Sequence, residues 1–213
     1  ARYHLAVLRY IAEDLDEEHS RHSIICNEER NFQLEDLAGP RTRLPDQRVH
    51  ELFEEQVRLR PDAVAAVHGD RQWSYEELNT HANRLAHALL EKGISRETVV
   101  AVVTERNLNW MAAVLAIFKA GGAYLPIEPH FPADRIAKML SRSQCTLVLT
   151  EADSRSTLDA AIDSLGGIET LDIDSVFAAD YGEENLDVTV TTDQLAYIYF
   201  TSGSTGEPKG VMC

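Results

Sequence analysis

The sequence predicts an α/β protein: a mostly parallel sheet covered by helices on both faces, preceded by a helical tail and a linker. Three observations carry that expectation. From residue 99 onward, short β-branched runs alternate with helix-period segments, the order of strand, crossover helix and next parallel strand. The 213 residues, 44% hydrophobic and 7% aromatic, suffice for one packed core plus a tail. The last strand-like run leads straight into a glycine- and hydroxyl-rich loop, and open α/β sheets hold ligands outside the carboxyl ends of their strands.

Leu5, Leu8, Ile11, Ala12 and Leu15 recur at helical spacing in residues 2–18, while Glu13, Asp14, Asp16, Glu17 and Glu18 crowd the far end and oppose the helix dipole. Such a helix needs a surface to pack on. Residues 28–47 turn polar, with Gly39-Pro40 and Pro45 as breakers, and read as a connector. The boundary between a preceding segment, 1–45, and the main domain, 46–213, therefore falls near Asp46.

Residues 48–60 restart a helix on Val49, Leu52, Phe53 and Val57, stopped by Pro61-Asp62. Residues 63–67 and 71–73 form a hairpin about Gly69-Asp70. Ser74 and Glu77 make a capping box for a helix to Lys92, with Leu78, Ala82, Leu85, Ala86 and Leu89 inward and Gly93 ending it. Strands follow at 99–104, 123–127, 146–150 and 168–173, and helices at 107–120, 133–141 and, more weakly, 156–165. An acidic loop, 180–187, precedes a buried strand over 195–200. No repeat of fixed period and no low-complexity segment is present.

The formal charge of −15 is uneven: 13 acidic against two basic residues in 151–213, and 22 against 18 in 1–150. A surface this acidic repels phosphate backbones and anionic lipids, which excludes nucleic acid and membrane as partners. Cys26, Cys145 and Cys213 are odd in number and contain no C-x-x-C pair, so neither a disulfide framework nor a zinc knuckle is indicated, and a reducing cytoplasm fits. His19, His22 and Cys26 have ligand-like spacing without a fourth partner, so they read as solvated side chains, and no metal site is expected. Met111 to Phe118 is too short an apolar run to cross a bilayer, and the N-terminus shows no signal peptide. The chain starts without methionine and stops three residues after Gly210, so it reads as a piece of a longer polypeptide.

The chemistry concentrates in Thr201-Ser202-Gly203-Ser204-Thr205-Gly206-Glu207-Pro208-Lys209-Gly210. Gly203, Gly206 and Gly210 lack a Cβ, so the backbone is free to turn and bring its N–H groups onto anionic oxygens. Thr201, Ser202, Ser204 and Thr205 add hydroxyls, and Lys209 adds a compact charge. The spacing differs from a G-x-x-x-x-G-K-[ST] P-loop, since Pro208 stands where the second glycine belongs. It also differs from a nucleophile elbow, since Ser204 directly follows Gly203. The loop reads as a phosphate cradle.

Residues 197–210 resemble the phosphate signature of adenylate-forming enzymes, the superfamily of acyl-CoA synthetases, luciferases and nonribosomal peptide synthetase adenylation domains. Two earlier segments stand in the expected order. Trp73-Ser74-Tyr75-Glu76-Glu77-Leu78-Asn79 is similar to the first core motif of the peptide synthetase branch, and residues 118–127, Phe118-Lys119-Ala120-Gly121-Gly122-Ala123-Tyr124-Leu125-Pro126-Ile127, to the second. Both read as structural: a capped helix start, and a helix end feeding a strand whose exit is fixed by Pro126 and Pro129, with Lys119 a surface or dipole partner. Glu128 replaces the aspartate usual in that branch, with little consequence expected, and Phe200 replaces a tyrosine. Residues 1–45 resemble, more weakly, the tail of a condensation domain and its linker.

The resemblance implies the N-terminal part of the adenylate-forming fold. It implies an activity in which an amino acid and ATP give an aminoacyl adenylate and pyrophosphate, the acyl group then passing to a phosphopantetheine thiol on a carrier domain. Thr201, Ser202, Gly203, Ser204, Thr205, Gly206 and Lys209 would hold the ATP phosphates, with Mg2+ accompanying the substrate. Condensation and carrier domains of the same polypeptide would be the partners. The family's amino-acid pocket, acidic magnesium ligand and adenosine-binding residues follow the third motif. The catalytic set is thus expected to be incomplete here, this stretch alone to be inactive and 195–200 to show an apolar edge. Two alternatives stand beside this reading: an acyl-CoA or aryl-acid ligase of the same superfamily, and a non-catalytic interaction piece.

Overall fold

The computed structural model describes residues 2–13, 25–39, 45–202 and 208–213, which fall into two compact units, Ala1–Pro45 and Asp46–Cys213. In the first unit, α1 spans Arg2–Glu13 with Leu5, Leu8 and Ile11 exposed along it. The expected continuation of that helix, 14–18, lies outside the described residues, as do His19 and His22. The connector contains structure that its polar composition hid. α2 spans Asn27–Asn31 and runs on into a π-helical turn, Phe32–Asp36. Glu28 and Glu29 in the first turn complement the helix dipole, and Gln33 donates to Glu29 one turn away at 2.9 Å.

The second unit opens with α3, Val49–Leu59, followed by the antiparallel hairpin of β1, Val64–His68, and β2, Arg71–Ser74. α4, Tyr75–Glu91, starts on the expected capping box: Glu77 N–H donates to Ser74 Oγ at 3.2 Å and Ser74 N–H to Glu77 Oε2 at 2.7 Å. The core sheet is built from β3, Val99–Val103, β4, Ala123–Ile127, β5, Leu147–Thr150, and β6, Glu169–Asp172. Its strand order is β4-β3-β5-β6 and every neighbouring pair is parallel. α5, Leu108–Lys119, α6, Ala133–Arg142, and α7, Arg155–Asp163, are the crossovers.

Strand alternation splits the core between the faces. Val100, Val102, Tyr124, Leu147 and Leu149 point toward Leu85, Leu89, Ala112 and Ile117 of α4 and α5. Ala101, Val103, Leu125, Ile127 and Val148 meet Ile136 and Leu140 of α6 and Leu158 of α7 on the other. Ile173, expected to finish a strand, instead begins a short helix, α8, Ile173–Ala178, because Asp172 caps it by accepting Ser175 N–H at 2.8 Å. The acidic loop is strapped over α4: Asn83 donates to the Glu183 carbonyl at 2.6 Å, and Asn185 Oδ1 accepts from Asn79, Asn83 and Lys119 at 3.0–3.1 Å.

The final strand departs from expectation. β7 is Ile198–Ser202 and pairs antiparallel with a strand not foreseen, β8, Pro208–Met212. It reaches the core sheet through a parallel bridge of Tyr197 to Tyr124, where Tyr124 N–H donates to the Ala196 carbonyl at 2.8 Å. Only its Ile198 side is buried, while Tyr199 is exposed, because a hairpin covered on one face alternates in and out. Gly210 fits β8 against its partner: a Cβ there would stand 3.2 Å from both Ile198 and Phe200, so its bare backbone leaves room for the Phe200 ring.

Candidate functional site

All four core strands end on one edge, and β7, parallel to β4 at the bridge, ends there too. That carboxyl edge is where the signature lies. Thr201 is the penultimate residue of β7, and Lys209 stands directly opposite it on β8. Facing residues of an antiparallel pair project to the same side, so the hydroxyl and the ammonium share the face that also carries Tyr199 and Val211. Both are exposed. Ser202 closes β7, opposite Pro208. Gly203, Ser204, Thr205 and Gly206, the other expected phosphate ligands, lie outside the described residues. Lys209 and Gly210, expected in a loop, belong to β8.

The hairpin is held at both roots. Phe200 and Ile198 pack into the core face shared with α6, and Arg142 of that helix donates to the Pro208 carbonyl. Cys213 N–H donates to the Tyr197 carbonyl at 3.0 Å, and Tyr197 stacks edge-on to Tyr199 at 5.2 Å. On β4, Tyr124 accepts the Trp110 indole N–H at 3.0 Å, and burial pushes the phenol up to about 12.

Two polar clusters on the same edge were not singled out from the sequence. Arg106, just past β3, pairs with Glu128, just past β4, at 2.8 Å. Glu128 is a conservative departure in sequence, and the register β3 imposes on β4 is what makes it a partner. At the switch between β3 and β5, Asn107 and Asn109 donate to the Glu151 carboxylate at 2.7–3.1 Å, closing the crevice where doubly wound sheets commonly take ligands.

Lys119 corrects a further expectation. It is 2% exposed, not at the surface, because α5 is covered by α3 and by the acidic loop. It pairs with Glu54 and donates to Asn185 at 3.1 Å. Burial lowers its pKa, and the Glu54 partner works against that fall. A cavity of about 230 Å3, lined by His50, Phe118, Gly122, Gln194 and Ala196, lies at the opposite, amino edge of the sheet, away from the signature. Among the described residues no group of three or more His, Cys, Asp or Glu side chains forms a metal-ion site, and no helix is long and apolar enough to cross a membrane. Cys145 is buried, with its thiol pushed up to about 11 by burial, and Cys26 and Cys213 are free and exposed.

A doubly wound parallel sheet whose signature hairpin stands at the carboxyl edge defines the class: an α/β domain of the kind that takes ligands outside the carboxyl ends of its strands. The chain matches the AMP-binding enzyme family over residues 53–213, and it belongs to that family. It is 44% identical to tyrocidine synthase 1 of Brevibacillus parabrevis over 164 residues, 77% of this chain and 15% of that protein. It is 38% identical to bacitracin synthase 2 of Bacillus licheniformis over 212 residues, 100% of this chain and 8% of that protein. The crystal structure of the nonribosomal peptide synthetase FmoA3 superposes with a TM-score of 0.75 and 30% identity, over 97% of this chain and 22% of that one. The same synthetase bound to alpha-methyl-L-serine-AMP gives 0.74. The fold is therefore the N-terminal part of the adenylate-forming fold, and the chain spans a small part of the length of each of these relatives.

Proposed function

We propose that this chain supplies the nucleotide-phosphate half of the amino-acid-activating site of a nonribosomal peptide synthetase adenylation domain. The observation that carries the reading is the hairpin: Thr201 and Lys209 face one another at the carboxyl edge, at the two roots of the Ser/Thr/Gly signature. In the reaction, an amino-acid carboxylate oxygen bonds to the α-phosphorus of ATP. The bond to the bridging oxygen breaks, and pyrophosphate leaves with the electron pair. Charge grows on the departing pyrophosphate, so donors fixed around it lower the barrier.

Thr201, Ser202, Gly203, Ser204, Thr205 and Gly206 hold the β and γ phosphates through hydroxyl and backbone N–H donors, and Lys209 faces them with its charge. The fit rests on an exposed hydroxyl and ammonium on one strand face, a donor set suited to a polyanion. Mg2+ bound to the triphosphate would neutralise its oxygens, and a phosphopantetheine thiol on a carrier domain would take up the acyl group. Residues 1–45 are the end of a preceding condensation domain with its linker, and 46–213 begin the adenylation domain. The setting is cytoplasmic.

The test is ATP–pyrophosphate exchange by the intact synthetase carrying this segment, screened over amino acids. Exchange is expected to depend on an amino acid and to fall about tenfold to a hundredfold in Lys209→Ala. Exchange driven by aryl or fatty acids, or unchanged in Lys209→Ala, would overturn the assignment.

A further inference from the structure

The carboxyl edge next to the signature hairpin carries a charge that a nucleotide must avoid. The Tyr124 to Tyr197 bridge makes β7 the parallel neighbour of β4, so Glu128, just past the carboxyl end of β4, lies on the edge to which β7 delivers Thr201. The Glu128 side chain is 30% exposed and the Arg106 side chain 70%, so the guanidinium covers the carboxylate from the solvent side at 2.8 Å. Glu105, the next residue toward β3, is exposed, and Glu151 lies beyond it in its amide clasp. Arg135, the nearby cation on α6, lies over the Phe131 ring at 4.0 Å. Residues 151–213 add a net −11, 13 acidic against two basic. A triphosphate arriving at this edge meets carboxylates unless something offsets them.

We infer that Arg106 screens Glu128 from the phosphates at the signature hairpin and so acts as a positioning residue for the nucleotide, an inference that rests on the hairpin holding ATP. The pair works asymmetrically. Removing the arginine leaves an uncompensated carboxylate on the edge that carries Thr201, whereas removing the carboxylate leaves a guanidinium free to face the phosphates. A pair that only braced β3 against β4 would lose equally from either side.

The experiment measures ATP and adenosine affinity in the intact synthetase for wild type, Arg106→Gln, Glu128→Gln, the double variant and Arg106→Lys, with melting temperature as a check on folding. Arg106→Gln is expected to weaken ATP about fivefold to tenfold, as one unscreened carboxylate on the edge that takes the phosphates would. It leaves adenosine unchanged, and the loss shrinks as salt shortens the screening length below about 10 Å. Glu128→Gln holds or tightens ATP affinity, the double variant returns to within about threefold of wild type, and Arg106→Lys retains most of it. Glu128→Gln weakening ATP as much as Arg106→Gln, or a double variant no better than Arg106→Gln, would overturn the inference and leave the nucleotide reading intact. A wild-type synthetase that binds no ATP would instead overturn the nucleotide reading, and this inference with it.

Discussion

The core sheet and the signature hairpin are built from similar residues and end up in opposite environments. Val100, Ala101, Val103, Leu125, Val148 and Leu149 have no measurable exposure, because α4 and α5 cover one face and α6 and α7 the other. In the hairpin, Ile198 alone is buried among the large apolar side chains, while Tyr199, Val211 and Met212 stand 47–73% exposed. The sheet is a frame whose residues are spent on packing. The hairpin keeps its polar face open and is tied down by Phe200, Arg142 and the bridge to Tyr124. The proposed ligand chemistry falls on the element that packing leaves free, and its precision would be borrowed from the frame.

Stability measurements on the intact domain can break that contrast. Leu149→Ala, at a site with no exposure, is expected to lower unfolding free energy by about 3–4 kcal/mol, and Val211→Ala by roughly 0.5 kcal/mol or less. Equal losses in denaturant melts would show the hairpin to be as much a part of the core as the sheet. Next in size is the buried ion pair. Glu54→Ala strands the Lys119 ammonium, whose side chain is 1% exposed, at a cost of about 3 kcal/mol. Lys119→Met leaves behind a carboxylate that is 23% exposed and able to rehydrate, and should cost less. The reverse order would mean that α5 is held by Lys119 packing and not by charge.

The smallest effect is with pH. Burial holds His50 and His81 below the ordinary imidazole value of 6.5, outweighing for His81 the raising influence of Glu77 and Glu183 and adding to the lowering by Arg84 and Arg71. For His50, Glu54 and Glu51 raise while Lys119 and Arg48 lower. A depressed histidine means that the unfolded chain binds the extra proton. Stability from these groups is therefore complete above about pH 6.5 and declines below it, by at most about 1.4 kcal/mol per pH unit for each. His81→Gln should flatten the slope of melting temperature between about pH 5 and 6.5, and an unchanged slope would place the dependence elsewhere.

Much of the frame was legible because its signals are local. The Ser74 and Glu77 cap, the 99–104 and 123–127 runs and the glycines after α5 announce themselves within a few residues. Gly121 has φ +75, the left-handed end that the paired glycines implied. What escaped depends on partners far along the chain. Lys119 reads as a surface cation until Glu54 and Asn185, 65 and 66 residues away, close over it. β8 was hidden by Pro208 and Gly210, breakers in isolation and tolerable on a hairpin strand. The Arg106 and Glu128 pair spans 22 residues and exists only because parallel β3 and β4 bring their ends level.

The chain's two tryptophans turn the contrast between frame and hairpin into something optical. Trp73 stacks on His81 at 4.3 Å and meets the edge of Phe177 at 6.4 Å, so its emission should follow imidazolium formation in the frame. Trp110 donates to Tyr124, the residue on which the signature hairpin is hinged to β4. Light emitted by Trp110 therefore carries news of how the hairpin is seated, and a single-tryptophan protein keeping only that indole would let nucleotide arrival be followed in real time without a label.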